Sequence, residues 1–260
     1  MSKKSVKDSL SIECYLMQQS DIMLLALNSK KKMEDEDVII KEIIVYFENK
    51  KIIKIYEKIW KYFNTSMLPF LELILEQIDS VEDVEKVSSV TSTEEISLYK
   101  TRLKDIVNAE ENSYDKLSKI SLLEHIEDIV DLLIEHFEKV HNQEGDIAHP
   151  DLKWFTETEM MNLLFLAITH DIGKILKLME ANGIARRDST HEGRSVLFIE
   201  MFATEEDLTQ EEEKSVDRLV KNLKKIESNS MDGTTVARFI NFDSKARVIE
   251  LQRLAEITNK

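Results

Sequence analysis

No glycine occurs among the first 144 residues of this 260-residue chain, and the whole chain holds only two prolines. Helix-breaking turns are therefore rare, while apolar residues recur at spacings of three and four, as amphipathic helices require. The segment DVIIKEIIVYFENKKIIKIYEKIWKYF, residues 37–63, is an example. No alternation typical of a strand runs for a useful length. The sequence therefore predicts an all-α protein.

The positions of the helices follow from this periodicity together with start and stop signals. A threonine followed three residues later by glutamate, the capping-box pattern, occurs at Thr91–Glu94, Thr156–Glu159 and Thr209–Glu212. The stretch His141–Phe155 holds a glycine and a proline and is predicted to be a long loop. The predicted helices cover residues 11–29, 37–62, 67–79, 93–110, 118–141, 157–169, 172–181, 192–203, 210–227 and 234–257.

Residues 37–63 carry isoleucines on more than one side of the predicted helix, whereas a surface helix needs only one apolar stripe. We therefore predict that this segment packs in the middle of a bundle or at a subunit interface. The N-terminal helices are accordingly a candidate surface for a homodimer. The isoleucines concerned are Ile39, Ile40, Ile43, Ile44, Ile52, Ile53, Ile55 and Ile59.

The composition excludes several classes of partner. The formal net charge is −15, so the chain repels nucleic acid and anionic membrane surfaces at long range. Its longest apolar runs have six residues, too short to span a bilayer, and no secretory signal is recognisable at the N-terminus. The single cysteine, Cys14, allows no intramolecular disulfide. These features predict a cytoplasmic protein.

Two histidines and an aspartate stand beside apolar helix faces. His125 lies at the edge of an apolar stripe, where it is either a half-buried histidine or an inward-facing ligand. His170 and Asp171 follow an almost wholly apolar helix in LLFLAITHDIGKI, residues 163–175. A helix C-terminus explains the histidine but not the aspartate, which the negative end of the helix dipole repels. A bound cation would satisfy both groups.

A second carboxylate lies in line with Val236 and Ile240 on a later predicted helix. This is Asp243, and two explanations for it stay open. Either it forms an intrahelical ion pair with Arg247 at the i+4 position, or it is a ligand like the His-Asp pair.

Together these residues resemble the HD superfamily of metal-dependent phosphohydrolases. That family has a histidine on one helix, a His-Asp pair ending another and an aspartate on a later helix, which matches His125, His170 with Asp171, and Asp243. The segment THDIGK is the strongest part of the resemblance, which covers about residues 118–255. It implies a helical bundle of the HD-domain type over residues 111–260. Residues 1–110 would then be an additional N-terminal helical region with a regulatory or interaction role.

The resemblance also implies a chemistry. His125, His170, Asp171 and Asp243 would hold one divalent metal ion, and the ligand types do not distinguish Mn, Fe, Co, Mg, Zn or Ni. A metal-bound hydroxide would then attack the phosphorus of a small phosphorylated compound, most simply a nucleotide, as in a phosphomonoesterase or phosphodiesterase. Asp171 and Lys174 are the expected catalytic residues.

Cationic groups after the His-Asp pair are candidates for holding the substrate phosphate. They are Arg186, Arg187, Arg194 and His191, and solvated surface charge is the alternative for each. His191 also resembles an element of two-metal family members, but it is the last histidine of the chain, where those members carry one more. A single ion is therefore expected. The alternative function is a non-catalytic HD-like module that binds a partner, a metal or a nucleotide without turnover.

Overall fold

The structure is a computed structural model that describes residues 51–63, 67–141, 156–185, 190–205, 208–228, 230 and 233–258. All of these belong to one compact unit, Lys50–Lys260. The helix predicted over residues 11–29, the first part of the 37–62 helix and the loop after His141 lie outside the described residues. Arg186 and Arg187 do so as well.

The described residues are overwhelmingly helical, and the one extended pairing among them is a single bridge between Ser88 and Ser121. The all-α prediction is confirmed. In chain order the helices are α1 (51–62), α2 (Leu68–Asp79), α3 (Thr93–Leu103), α4 (Glu111–Asp115), α5 (Leu122–His141), α6 (Glu157–Thr169), α7 (Leu176–Ala181), α8 (His191–Glu205), α9 (Gln210–Glu227) and α10 (Thr234–Thr258). Short 3₁₀ turns occupy Val84–Lys86, Lys116–Lys119 and Ile172–Lys174.

Side-chain caps explain where several helices begin. Helix α3 has a full capping box, but it joins Ser92 to Glu95, one residue later than the predicted pair. An unpredicted box joins Ser121 to Glu124 and starts α5 four residues after the predicted start. The predicted box at Thr209 is confirmed, whereas Thr156 caps α6 through its own side chain only. Each cap satisfies backbone N–H groups that have no partner within the helix.

One large apolar core joins helices from both ends of the described part of the chain. It includes Ile55 and Ile59 of α1, Phe70 of α2 and the apolar stripe of α5. The division predicted near residue 110 therefore does not coincide with a break in the core, which runs across it. The predicted stripe of α5 is confirmed as buried, and its members are Leu122, Ile126, Ile129, Val130, Leu133 and Phe137.

The prediction that residues 37–63 pack inside a bundle is confirmed for the described end of that segment. Ile52, Ile55 and Ile59 are buried, and Ile53 is half-buried. Ile39, Ile40, Ile43 and Ile44 lie outside the described residues. The homodimer through the N-terminal helices stays a prediction. In the part of the chain described here, no helix combines the length and the apolar character that crossing a membrane requires.

Helix α6 lies deepest in the bundle. Nine of its residues are buried, from Met160 to Thr169 with Asn162 as the exception. It contacts α5, α9 and α10, while α10 also packs against α5 and α3. Its C-terminus therefore presents the His-Asp pair in the interior, between the two helices that carry the other candidate ligands.

Candidate metal centre

Three helices bring three of the four predicted ligands together, while Asp171 lies beside this group. His125 of α5, His170 at the end of α6 and Asp243 of α10 each offer one ligand atom, and these atoms lie within 4.8 Å of one another. All three side chains are buried, and Asp171, next to His170, is buried too. Two imidazoles and a carboxylate form a mixed nitrogen and oxygen donor set that suits a divalent transition metal. This cluster could hold a metal ion.

A contact at Nδ1 orients the His125 ring. Its Nδ1 lies 2.7 Å from Oε1 of Glu250, and since a carboxylate only accepts, Nδ1 carries the hydrogen. In the neutral ring Nε2 then has a lone pair, and it faces Oδ1 of Asp243 at 3.1 Å. Neither of these two buried atoms makes a hydrogen bond with a described residue. Two acceptors at this distance repel each other unless a proton or a cation lies between them.

Electrostatics favours a proton at this place when no cation is there. Burial and the Arg247 guanidinium lower the pKa of His125, but the carboxylates of Glu250 and Asp243 outweigh them and raise it. Burial raises the pKa of Asp243, yet His125 and Arg247 hold it below its ordinary value. The pair therefore attracts positive charge.

The His170 ring has the same arrangement. Its Nδ1 lies 3.1 Å from the carbonyl oxygens of both Leu166 and Ala167, which are acceptors, so this nitrogen donates. Its Nε2 then faces Oδ2 of Asp171 at 3.2 Å. Metal-binding histidines commonly donate one ring N–H to an acceptor and turn the other nitrogen to the ion. Both histidines of the cluster have this form, and each Nε2 faces a predicted carboxylate ligand.

The turn that follows His170 is fixed against the start of α8. Ser195 accepts a hydrogen bond from the Gly173 N–H at 2.9 Å, and its hydroxyl lies 2.9 Å from the His170 carbonyl oxygen. A Cβ atom on Gly173 would lie 2.0 Å from the carbonyl oxygen of His191. Only glycine allows this approach, so the glycine of the HDIGK segment serves close packing beside the His-Asp pair.

Asp171 is held by two basic side chains. Its Oδ2 accepts from Lys174 Nζ at 2.7 Å, and its Oδ1 lies 3.3 Å from His191 Nε2. Burial raises the pKa of Asp171, but His170 and Lys174 hold it well below its ordinary value. The carboxylate is therefore ionised and available as a ligand, although Lys174 and His191 already contact it.

The Lys174 ammonium is buried and fully engaged. Besides Asp171, it contacts Glu95 Oε1 at 2.7 Å and donates to the Ser89 carbonyl oxygen at 2.6 Å. These three acceptors match the three donors of an ammonium group. The catalytic role predicted for Lys174 stays a prediction, and its observed contacts are those of a buried counter-charge.

His191 lies at the edge of the cluster. Its Nε2 contacts Asp171 and also lies 3.1 Å from Glu192 Oε1 and 3.5 Å from Glu95 Oε1. Burial lowers the pKa of His191, but the hydrogen bonds to Asp171 and Glu192 outweigh it and raise the pKa to about 9. This imidazole is therefore positively charged at neutral pH and partly accessible to solvent.

Arg247 does not form the intrahelical pair with Asp243 that was the alternative for that aspartate. Among the described residues its hydrogen bonds go to Glu250 Oε2 at 2.7 Å and to the hydroxyl and carbonyl oxygens of Ser89. Its guanidinium carbon lies 4.7 Å from the centre of the Tyr99 ring. An oxygen of Asp243 is therefore available to contact His125 and to bind a cation.

The charges of the cluster leave room for a divalent ion. Four carboxylates lie in or beside it, and the two permanent cations, Lys174 and Arg247, neutralise half of their charge, while the cationic His191 is balanced by Glu192. Protonated histidines or one divalent cation would supply the rest, which a buried site requires. The four carboxylates are Glu95, Asp171, Asp243 and Glu250.

The predicted phosphate-binding residues have different positions. His191 reaches Asp171, whereas Arg194 is buried and donates from Nε to the Gly173 carbonyl oxygen at 2.9 Å. Arg194 therefore supports the turn, and Arg186 and Arg187 lie outside the described residues.

Sequence reasoning missed three residues that contact the cluster. They are Ser89, Glu95 and Glu250. Glu250 continues the stripe of Asp243 and Arg247 by one further turn of α10, so the helical spacing could have indicated it.

Comparisons with known proteins give no relatives. No protein-family model matches the chain, and no curated protein or solved structure matches it significantly. The residues and their geometry are therefore the basis for any functional proposal.

Proposed function

We propose that this protein is a metal-dependent phosphohydrolase of the HD type that acts on a small phosphorylated compound, most simply a nucleotide. One observation carries the proposal: His125 Nε2 and Asp243 Oδ1 face each other in the interior without a hydrogen bond, beside His170. Two such atoms repel each other when nothing lies between them, and either a proton or a bound cation removes that cost. The donor set and the charge deficit both fit a divalent ion.

A divalent ion bound there would supply Lewis acidity and lower the pKa of a bound water, which is the chemistry that phosphate ester hydrolysis requires. The chain's own residues would do the remaining work. His125, His170 and Asp243 would hold the ion, and Asp171 would orient the reacting groups from the edge of the cluster. The cationic His191 would hydrogen-bond to an anionic substrate from the accessible side. Helix α6 would exclude bulk water from behind.

A second candidate function is metal or nucleotide sensing without turnover. The observation that favours it is the occupancy of Asp171, whose two oxygens already contact His170, Lys174 and His191. The burial of the cluster agrees with it, because the side chains of His125, His170 and Asp243 are at most 9% exposed. A substrate would have to pass these buried side chains to reach the ion. In the sensing alternative the ion or ligand would stabilise the bundle, and Asp171 would stay in its ion pairs.

The proposal predicts metal-dependent phosphate release from at least one member of a nucleotide panel, measured with Mn²⁺, Mg²⁺, Co²⁺ or Fe²⁺ and with a chelator. Activity should rise with pH towards neutrality. Asp171→Ala should reduce kcat/KM by on the order of 10²-fold or more, because it removes a group at the reacting centre, and His191→Ala by about 10-fold.

Asp131→Ala is the matched control, since this exposed carboxylate of α5 pairs with Lys58 and contacts none of the predicted ligands in the described residues. It should leave activity unchanged. Nucleotide binding without turnover across the whole panel would favour the sensing alternative. Equal activity of Asp171→Ala and wild type would rule out the proposed mechanism.

A further inference from the structure

A buried chain of polar contacts leads from the segment before α3 to the back of the His125 ring. Ser89 accepts from Arg247 through its hydroxyl at 2.8 Å, and Arg247 donates to Glu250 at 2.7 Å. Glu250 in turn accepts from His125 Nδ1 at 2.7 Å. The side chains of His125, Arg247 and Glu250 are all 0% exposed. A fully buried ion pair that is not needed for packing alone calls for an explanation, because apolar residues of the same volume usually stabilise a core at least as well.

We propose that Glu250 is a positioning residue that fixes the His125 ring with its hydrogen on Nδ1 and its Nε2 lone pair turned towards Asp243. This inference rests on the proposed function for the identity of the ion, but the ring orientation can be tested without any ion. No other acceptor among the described residues contacts His125 Nδ1.

Arg247 helps Glu250 to hold the His125 ring. By binding the other oxygen of Glu250, it leaves Oε1 for the histidine and balances the carboxylate charge. Ser89 and the Tyr99 ring hold the guanidinium in place from the opposite side. Arg247 thus fixes Oε2 of the carboxylate and leaves Oε1 to accept from His125 Nδ1, which a fixed ring orientation requires. Carboxylate partners of metal-binding histidines also make the ring a stronger donor to the ion.

Two double variants separate positioning from packing. Glu250→Leu with Arg247→Met removes the ion pair and leaves no acceptor for Nδ1, whereas Glu250→Gln with Arg247→Met leaves a neutral acceptor in the same place. Removing both charges together avoids a lone buried charge, so both variants should fold. Asp128→Asn is the control, because it removes the Arg253–Asp128 ion pair between the same two helices, one turn away from His125.

The first readout is the affinity of the full chain for Mn²⁺ or Co²⁺ alone, by titration calorimetry. The Leu/Met variant should bind about 10- to 100-fold more weakly than wild type. The Gln/Met variant should lie between the two, and Asp128→Asn should match wild type. Equal affinity of the Leu/Met and Gln/Met variants would overturn the proposal, because a purely structural role does not distinguish them.

The second readout is the ¹⁵N NMR signature of His125 in metal-free protein at a pH where the ring is neutral. Wild type should show the hydrogen on Nδ1. The Leu/Met variant should show it on Nε2, where Asp243 is the remaining acceptor. An unchanged tautomer in the Leu/Met variant would overturn the positioning role. If wild type binds neither metal, the proposed function fails, while this tautomer comparison still decides the role of Glu250.

Discussion

A fragment of residues 111–260 is expected not to fold cooperatively. It lacks α1 and α2, whose side chains belong to the same core as α5 and α6. It also lacks α3, whose Tyr99 and Leu103 pack in a smaller cluster with Leu251 of α10. Ile55, Ile59 and Phe63 are 0% exposed, and each large apolar side chain contributes about 1.5–3 kcal/mol when buried. Their loss, with that of the α2 side chains, exceeds the roughly 5–15 kcal/mol by which a domain is stable. The fragment should aggregate, or its circular dichroism signal should show no sharp transition as urea is added.

The fragment of residues 50–260 is the matched control. It keeps the whole compact unit together with Ser89 and Glu95, the partners of Lys174 and Arg247. It should unfold in a single transition. A soluble 111–260 fragment with an equally steep transition would contradict the shared core and support a domain boundary near residue 110.

Lys174→Ala is expected to lower the free energy of unfolding by about 3–5 kcal/mol in metal-free protein. The substitution removes the ammonium that neutralises Asp171 and Glu95 in the interior, and it also leaves the Ser89 carbonyl oxygen with one donor fewer. Denaturant unfolding with a chelator present measures the effect.

Lys177→Ala is the control for this prediction. Lys177 stands three residues further on and pairs with Asp83, and both side chains are at least half exposed. Surface ion pairs of this kind contribute about 0–1 kcal/mol, so its removal should change stability little. If Lys174→Ala were as stable as Lys177→Ala, Lys174 would not be a buried counter-charge, and the catalytic role predicted from the sequence would regain support.

Periodicity was sufficient to predict the helices because the apolar residues of each buried stripe repeat along a single helix. The stripe of α5 and the apolar α6 were visible in the sequence for this reason. The His-Asp pair stood out because an aspartate at a helix C-terminus opposes the helix dipole. These patterns involve residues that are close together in the sequence, so they can be recognised without knowledge of the fold.

Contacts between distant segments were not visible. The capping box was predicted with Glu94, whereas Glu95 completes it and also reaches Lys174 with its other oxygen. Ser89 lies outside any helix, yet both Lys174 and Arg247 donate hydrogen bonds to it. Arg194 was predicted to hold the substrate phosphate, with solvated surface charge as the alternative, but it is buried and donates to the Gly173 carbonyl oxygen. The predicted division near residue 110 separated Glu95 from the cluster it contacts.

The metal content of the purified 260-residue chain tests the central claim most directly. The claim is that His125, His170 and Asp243 form a metal site, so elemental analysis after supplementation with Mn²⁺, Fe²⁺, Co²⁺ and Zn²⁺ should find about one divalent ion per chain. His170→Ala and Asp243→Ala should each lose it, while His136→Ala, on the same helix as His125, should keep it. Wild type without metal after supplementation, or full occupancy in His170→Ala, would contradict the account.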